Sequence, residues 1–169
     1  EAEEEYFGLP EIATVMALLQ VLDNPFQDIP LLSTLRSPCF SLGEEELARI
    51  RLARPGRGIS FHEAFFHCAR GEGVLGELCA GIAKKLEDWR FLAARMPLDK
   101  LLWELLWQTG LYTRAGALPA GEARQANLRL LCERAQQASA LGQDLGQFLA
   151  QVETVRASDE GTSAKTLGE

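Results

Sequence analysis

The sequence predicts an all-α fold, a single helical domain of about eight helices, and three observations carry that expectation. Apolar residues recur at spacings of three and four along most of the 169 residues, the period of a helix that buries one face. No stretch alternates apolar and polar residues with the period of two that a half-buried strand requires. Prolines and glycines fall at regular breaks, such as Asn24-Pro25, Arg54-Pro55-Gly56 and Met96-Pro97, so each periodic run reads as one helix with a short turn after it. A content of 47% hydrophobic and 24% charged residues, with mean hydropathy of -0.06, is ordinary for a globular chain large enough to bury one core.

The elements follow in order. Pro10 suits a first helical position, and Ile12, Val15, Met16, Leu19 and Leu22 form the stripe of a helix that Asn24-Pro25 ends. Asp28 can cap a second helix, with Pro30 in its first turn and Leu31, Leu32 and Leu35 as its apolar face, until Ser37-Pro38. Ser41 with Glu44, and Ser60 with Glu63, have capping-box spacing and predict two further helix starts. Leu75 to Leu92 reads as one long helix, with Gly76 and Gly81 as points of close packing. Leu98 to Thr109 carries Leu101, Leu102, Leu105 and Leu106 as its stripe, Trp103 and Trp107 on an adjoining face, and Gly110 as its C-terminal cap. An irregular span with Gly116, Pro119 and Gly121 precedes a helix whose first turns hold Glu122, Arg124, Gln125 and Asn127. Asn127 shares a stripe with Leu130 and Leu131, which predicts partial burial, whereas Arg124 and Gln125 point elsewhere and face outward. Asp144 caps a last helix, and residues from Ala157 onward have little to bury and read as a linker.

Charge and chemistry narrow the function. A net charge of -7 argues against a module that wraps nucleic acid electrostatically, yet the charge is uneven. Glu1, Glu3, Glu4 and Glu5 make an acidic tip, with Glu3 to Glu5 read as a solvated helix start favoured by the helix dipole, while Arg49, Arg51, Arg54 and Arg57 gather across a helix end and a Pro-Gly-Arg-Gly loop. Those arginines suit phosphate oxygens, or equally the negative end of a helix dipole. Cys39, Cys68, Cys79 and Cys132 form no C-x-x-C pair and read as small buried hydrophobes of a reducing compartment. His62 and His67 lie five apart, not the four of H-E-x-x-H, so they fall on different faces and offer no metal site. There is no G-x-x-x-x-G-K-[ST] loop, no G-x-G-x-x-G turn and no nucleophile with a histidine partner pattern. Trp103 and Trp107 lack the interleaved basic residues of a stacking platform and suit a core or an interface. No apolar run approaches membrane-spanning length, no basic-then-apolar leader precedes the fold, and a start at Glu1 without Met suggests a piece of something longer.

The run GALPAGEARQANLR from Gly116 to Arg129 resembles one in the AddA-type (RexA-type) component of bacterial helicase-nucleases. Tyr6-Phe7, Glu11-Ile12, Leu22-Asp23-Asn24-Pro25, Asp28-Ile29-Pro30-Leu31 and Leu35-Arg36-Ser37-Pro38 are similar to the path by which a UvrD-like helicase leads from its second RecA-like domain into the inserted 2B subdomain. The resemblance covers nearly the whole chain and implies a lead-in with the first helix at 1–25, a 2B-like accessory domain at 26–156 and a linker towards the motor at 157–169. It also implies a bacterial cytoplasmic protein that uses ATP and Mg, although Walker A, the acidic ATPase motif, the later ATP-sensing motifs and the nuclease are absent from these residues, so this chain needs no cofactor of its own. In relatives of the UvrD type a Gly-Ile-Gly turn meets duplex phosphates with the amides of a helix start. Ser41-Leu42-Gly43 stands at that point here, one glycine replaced, and Glu44, Glu45 and Glu46 follow with opposing charge.

Two functions compete on this basis. One is duplex contact through Arg36, Ser41, Leu42, Gly43, Arg49, Arg51, Arg54 and Arg57, with the domain positioned against the motor domains of the same polypeptide. The other is a module that docks the motor on the B-type partner subunit through Trp107, Arg124 and Gln125, without DNA. Neither involves a membrane. An independent enzyme, the third possibility, would need a metal or cofactor.

Overall fold

The structure, a computed structural model, describes residues 2–166. Among the described residues there are ten helices and no strand, so the all-α class holds while the number exceeds the eight expected. They gather into two compact units, one made of 1–19 with 96–169, the other of 20–95. In chain order the helices are α1 (Ala2–Gly8), α2 (Pro10–Asp23), α3 (Asp28–Arg36), α4 (Glu44–Leu52), α5 (Phe61–Cys68), α6 (Gly73–Ala93), α7 (Leu98–Thr109), α8 (Leu111–Ala117), α9 (Gly121–Ala140) and α10 (Leu145–Thr166).

Two of the differences from expectation are helical residues where none were foreseen, and a third concerns the acidic start of the chain. α1 stands where Glu3 to Glu5 were expected as the solvated start of a helix, but Glu3 is paired. Glu3 makes a two-pronged pair with Arg134 at 2.6 and 2.7 Å, and Arg134 also lies over the Tyr6 ring at 4.7 Å from its centre. Phe7 is buried and the Tyr6 hydroxyl donates to the Asn127 carbonyl at 3.0 Å, so this short helix is held by its side chains. Glu1 lies outside the described residues. The span after Gly110 is not irregular either. It starts a new helix at once, because Leu111 and Ala115 are buried on one face and Gly110, at φ 70°, reverses the chain without a Cβ to clash. Finally, α10 continues through Ala157 to Thr166, where a linker was expected, and 167–169 lie outside the described residues.

The unit of 20–95 is organised around α5, which packs on α3, α4 and α6. Phe61, Ala64, Phe65 and Cys68 form its buried face at helical spacing. The long helix α6 adds Cys79, Ile82, Leu86 and Trp89. Gly76 is a point of close packing, since a Cβ there would meet the Gly71 carbonyl oxygen at 2.4 Å, whereas Gly81 faces open space and is not one. α2 is buried on nearly every side, with Ala17, Leu18 and Val21 joining the expected stripe, as befits a helix apolar all round.

In the other unit, α7, α8 and α9 pack on one another and α1 on α10. Cysteines 68, 79 and 132 are buried and Cys39 is partly covered, none in a disulfide. Burial pushes the Cys79 and Cys132 thiols up to about 12, which leaves them protonated and inert at neutral pH. Among the described residues no single helix is long and apolar enough to cross a membrane.

Candidate nucleic-acid interface

Charge divides between the two units in a way the total conceals. Ten Lys/Arg and ten Asp/Glu fall within 20–95, so that unit is neutral. The remaining seven cations and fourteen acids put the whole -7 on the other. The neutral unit is the one that holds the arginines expected from sequence to meet DNA.

Its α3–α4 connection fixes their backbone. Ser37 Oγ donates to the Thr34 carbonyl and accepts from the Cys39 N–H, ending α3. Ser41 sits at φ 53°, a left-handed conformation that suits glycine better than serine. Leu42 is buried at 8% exposure, and its N–H donates to the Leu35 carbonyl at 2.9 Å, so it anchors the turn from inside. The cap of α4 is Gly43 and not Ser41: the Glu46 carboxylate accepts from the Gly43 N–H at 3.0 Å. The capping box expected at Ser41 and Glu44 is therefore displaced by two residues, and Glu46 occupies the amide that an incoming phosphate would need. Arg36 lies 3.9 Å from Glu44, and Arg49 donates to Glu45 at 2.6 Å one helical turn away. Arg51 and Arg57 are exposed with no acidic partner among the described residues, and Arg54 stands 3.9 Å from Glu63.

The second box is where the sequence placed it. Ser60 Oγ accepts from the Glu63 N–H at 3.3 Å and donates to Glu63 Oε2 at 2.8 Å, and that carboxylate also accepts from the Ser60 N–H. Asp28 completes this cap from another helix. Expected to cap α3, it is the first residue of that helix, and its carboxylate accepts from the N–H groups of Phe61 and His62 at 2.9 and 3.0 Å. Partial burial pushes its carboxyl up, but the His62 and Phe61 amides outweigh it and hold the group below the usual carboxylate range.

This network brings together a Ser-His-Asp chain that no sequence spacing revealed, because Asp28 lies 34 residues from His62. Ser60 Oγ is 3.3 Å from His62 Nε2, and His62 Nδ1 is 2.8 Å from Asp28 Oδ1. It is nevertheless a cap and not a nucleophile. The Ser60 hydroxyl is already committed to Glu63, and the amides of residues 60 to 63 are all paired. None of them is left to hold the oxyanion that acyl transfer develops. His67 is exposed on the far side of α5.

Beside this cap lies a groove of about 750 Å3 that sequence reasoning missed. Phe26, His62 and Phe66 form its aromatic wall, and Arg54, Arg70, Lys84 and Arg90 its rim. Phe26, exposed directly after a helix-ending Asn-Pro, was the one local signal of it.

The residues suggested for partner contact lie in the other unit. Trp107 is 65% exposed and stands 6.4 Å from Tyr112, which also packs edge-on to Trp103 at 5.5 Å. Arg124 and Gln125, expected to face outward, turn inward. Arg124 pairs with Glu11 at 2.8 Å and donates to the Pro119 carbonyl at 3.0 Å. Gln125 donates to the Tyr112 carbonyl at 3.1 Å and covers Gly116, whose added Cβ would lie 2.3 Å from it. Asn127 is part-buried as expected and gives Glu11 its second donor at 2.9 Å. Leu130 on the expected stripe is exposed, and Leu128 takes its place in the core. Gly121 meets Gly116 backbone to backbone, where a Cβ would lie 2.1 Å from the Gly116 oxygen. The run from Gly116 to Asn127 is thus a clasp that ties α8, α9 and α2 together.

No family model matches the chain. Among known proteins it is similar to the A-type component of the ATP-dependent helicase/nuclease of Thermoanaerobacter sp. strain X514, 48% identical over 78% of this chain and 10% of that protein. Pelotomaculum thermopropionicum has a relative of the same name at 47% identity, over 81% of this chain and 11% of the relative. That of Listeria welshimeri is 42% identical over 97% of this chain and 13% of its own length. The chain therefore spans only 10% to 13% of the length of these relatives. Identity at this level across most of the chain, on an all-helical fold, means that the chain belongs to the AddA family of ATP-dependent helicase/nucleases and corresponds to one stretch of its members.

Proposed function

We propose that this stretch is an accessory domain that contacts duplex DNA through its backbone and positions the motor of an ATP-dependent helicase and exonuclease acting on DNA breaks. The observation that carries the reading is the exposed pair Arg51 and Arg57, without acidic partners among the described residues, in a unit that is neutral while the rest of the chain is strongly acidic. Guanidinium groups on a helix end and its following loop suit phosphate oxygens, which position a protein on DNA without reading sequence. Arg54 and Arg36 stand beside them with only loose carboxylate neighbours at 3.9 Å. In this reading Ser41-Leu42-Gly43 shapes the turn, and Glu46 must leave the Gly43 amide before that amide can meet a phosphate. ATP and Mg would be held by other parts of the longer protein, since no phosphate-binding loop lies in this chain.

Gel shifts with a blunt duplex at low salt test the proposal. Weak binding is expected that declines with salt, and replacement of Arg51, Arg54 and Arg57 by Ala is expected to lower the magnitude of the log–log salt slope by about 2 to 3. Binding that is absent at low salt, or unchanged in the triple variant, refutes it.

The exposed Trp107 beside Tyr112 favours a second reading, docking on the B-type partner subunit. Arg124 and Gln125 serve that surface by holding Tyr112 and α9 in place. Retention by the partner at high salt, lost in Trp107→Ala, with no DNA binding at any salt, would select it.

A further inference from the structure

The groove beside the α5 cap has a composition that backbone contact with a duplex does not use. Ala69 from the end of α5 and Ala80 and Ala83 from α6 line it together with Pro25 and Leu86. Phe26 is 63% exposed at its edge. The residue is nonetheless fixed. The Phe26 N–H donates to Asn24 Oδ1 at 3.0 Å, the preceding Pro25 is buried, and the ring packs 5.5 Å from His62 and 6.1 Å edge-on from Phe66. His62 is itself held by Asp28. Around this wall stand four cations, Arg54, Arg70, Lys84 and Arg90, and three carboxylates, Glu63 and Glu87 in the lining and Asp88, which pairs with Lys84, while Arg90 Nε donates to the Leu22 carbonyl.

We propose that this groove receives an unpaired nucleotide of a DNA strand, its base stacked on Phe26 and its phosphates against Arg54 and Arg70. The inference rests on the nucleic-acid reading above and deepens it from duplex backbone to strand. Charge complementarity selects the occupant, because Arg70, exposed with no acidic partner among the described residues, and Arg54, 3.9 Å from Glu63, call for an anion while the wall calls for a flat apolar face. A nucleotide has both in one unit, and stacking accepts any base because every base has a π-face. An acidic peptide offers charge without a flat ring in every unit to stack on Phe26, and the test below separates it from a strand.

The test uses this chain with two probes of the same duplex sequence, one blunt and one with a single-stranded tail carrying 2-aminopurine. The tail is expected to tighten binding by roughly 5- to 150-fold, the worth of one stacked base, with quenching of the 2-aminopurine fluorescence. Phe26→Ala is expected to abolish both the tightening and the quenching while blunt-duplex affinity stays unchanged. Phe26→Leu, which keeps the apolar bulk, guards against a packing artefact and is expected to lose most of the tail effect. Arg70→Gln is expected to reduce it. Equal affinity for the two probes, or equal weakening of both by Phe26→Ala, overturns the proposal and leaves the duplex reading standing. Tail binding that needs Phe26 without any blunt-duplex binding upholds the groove and removes the duplex reading. Displacement of an acidic peptide, but not of a single-stranded oligonucleotide, from the groove by Phe26→Ala also overturns it.

Discussion

Replacing Arg124 by Met isolates the clasp that joins α9 to α2. Glu11 keeps only 8% of its side chain exposed and accepts from Arg124 at 2.8 Å and Asn127 at 2.9 Å. Methionine preserves much of the volume but withdraws one of two donors and the only cation that pairs with it in the described residues, and the Pro119 carbonyl loses its bond from Arg124 as well. Breaking a buried pair from one side costs about 3 to 5 kcal/mol, because a charge is stranded. Here Asn127 still donates and Arg124 is 29% exposed, so about 2 to 4 kcal/mol is the reasonable range. For a chain of this size that corresponds to a fall in Tm of roughly 4 to 16 °C. Glu11→Met alone is expected to cost a similar amount, and the double variant, with no stranded charge, less than the two together by about 1 to 3 kcal/mol. Urea unfolding followed by far-ultraviolet circular dichroism gives the four corners of the cycle. A single-variant cost below about 0.5 kcal/mol, the size of an exposed pair, or strict additivity, would refute the account of a buried clasp.

Gly121→Ala is expected to destabilise by about 1 to 3 kcal/mol or more, since the new Cβ would lie 2.1 Å from a backbone oxygen that cannot rotate away; a thermal melt checks it. Asp28→Asn tests the cap between helices. The Asp28 carboxyl is held below its ordinary range, so its contribution is fully present above the unfolded value near 4 and fades as pH falls through the folded one. The variant is therefore expected to be less stable than the parent by about 0.5 to 2 kcal/mol at pH 7 and to converge with it in acid, as read from melts between pH 7 and pH 3. Thr34→Val removes a buried hydroxyl that has no partner among the described residues, and a gain of about 1 kcal/mol is expected in urea unfolding.

Local rules made most helix boundaries legible, and partners distant in sequence account for what they missed. The Ser60–Glu63 box, the Gly110 cap and the Asp144 cap were readable because each is closed within a few residues; Asp144 and Gln147 exchange bonds at 2.8 and 2.9 Å as that motif requires. Asp28 was misassigned because its two amide partners belong to another helix. Likewise the start of α7 is capped from α9, where Ser139 Oγ accepts from the Leu98 N–H at 3.1 Å. The acids of α1 read as a solvated helix start because Arg134, which pairs with Glu3, is distant in sequence. For the candidate sites, the arginines of α4 and its loop were visible as a local charge cluster. The groove was not, since Phe26, Arg70 and Lys84 come together only when α5 and α6 pack. Arg124 and Gln125 looked outward because helical phase alone cannot show that α8 and α2 lie over them.

The contact of Gly116 with Gly121 sets how this chain can be edited. Two main chains that touch without side chains have no rotamer to adjust, so the short stretch between them tolerates neither insertion nor lengthening. A peptide tag inserted after Pro119 would prise α8 from α9. The exposed stretch at residues 55–58 closes no such contact of main chains, and is the place where added sequence would leave the helices undisturbed.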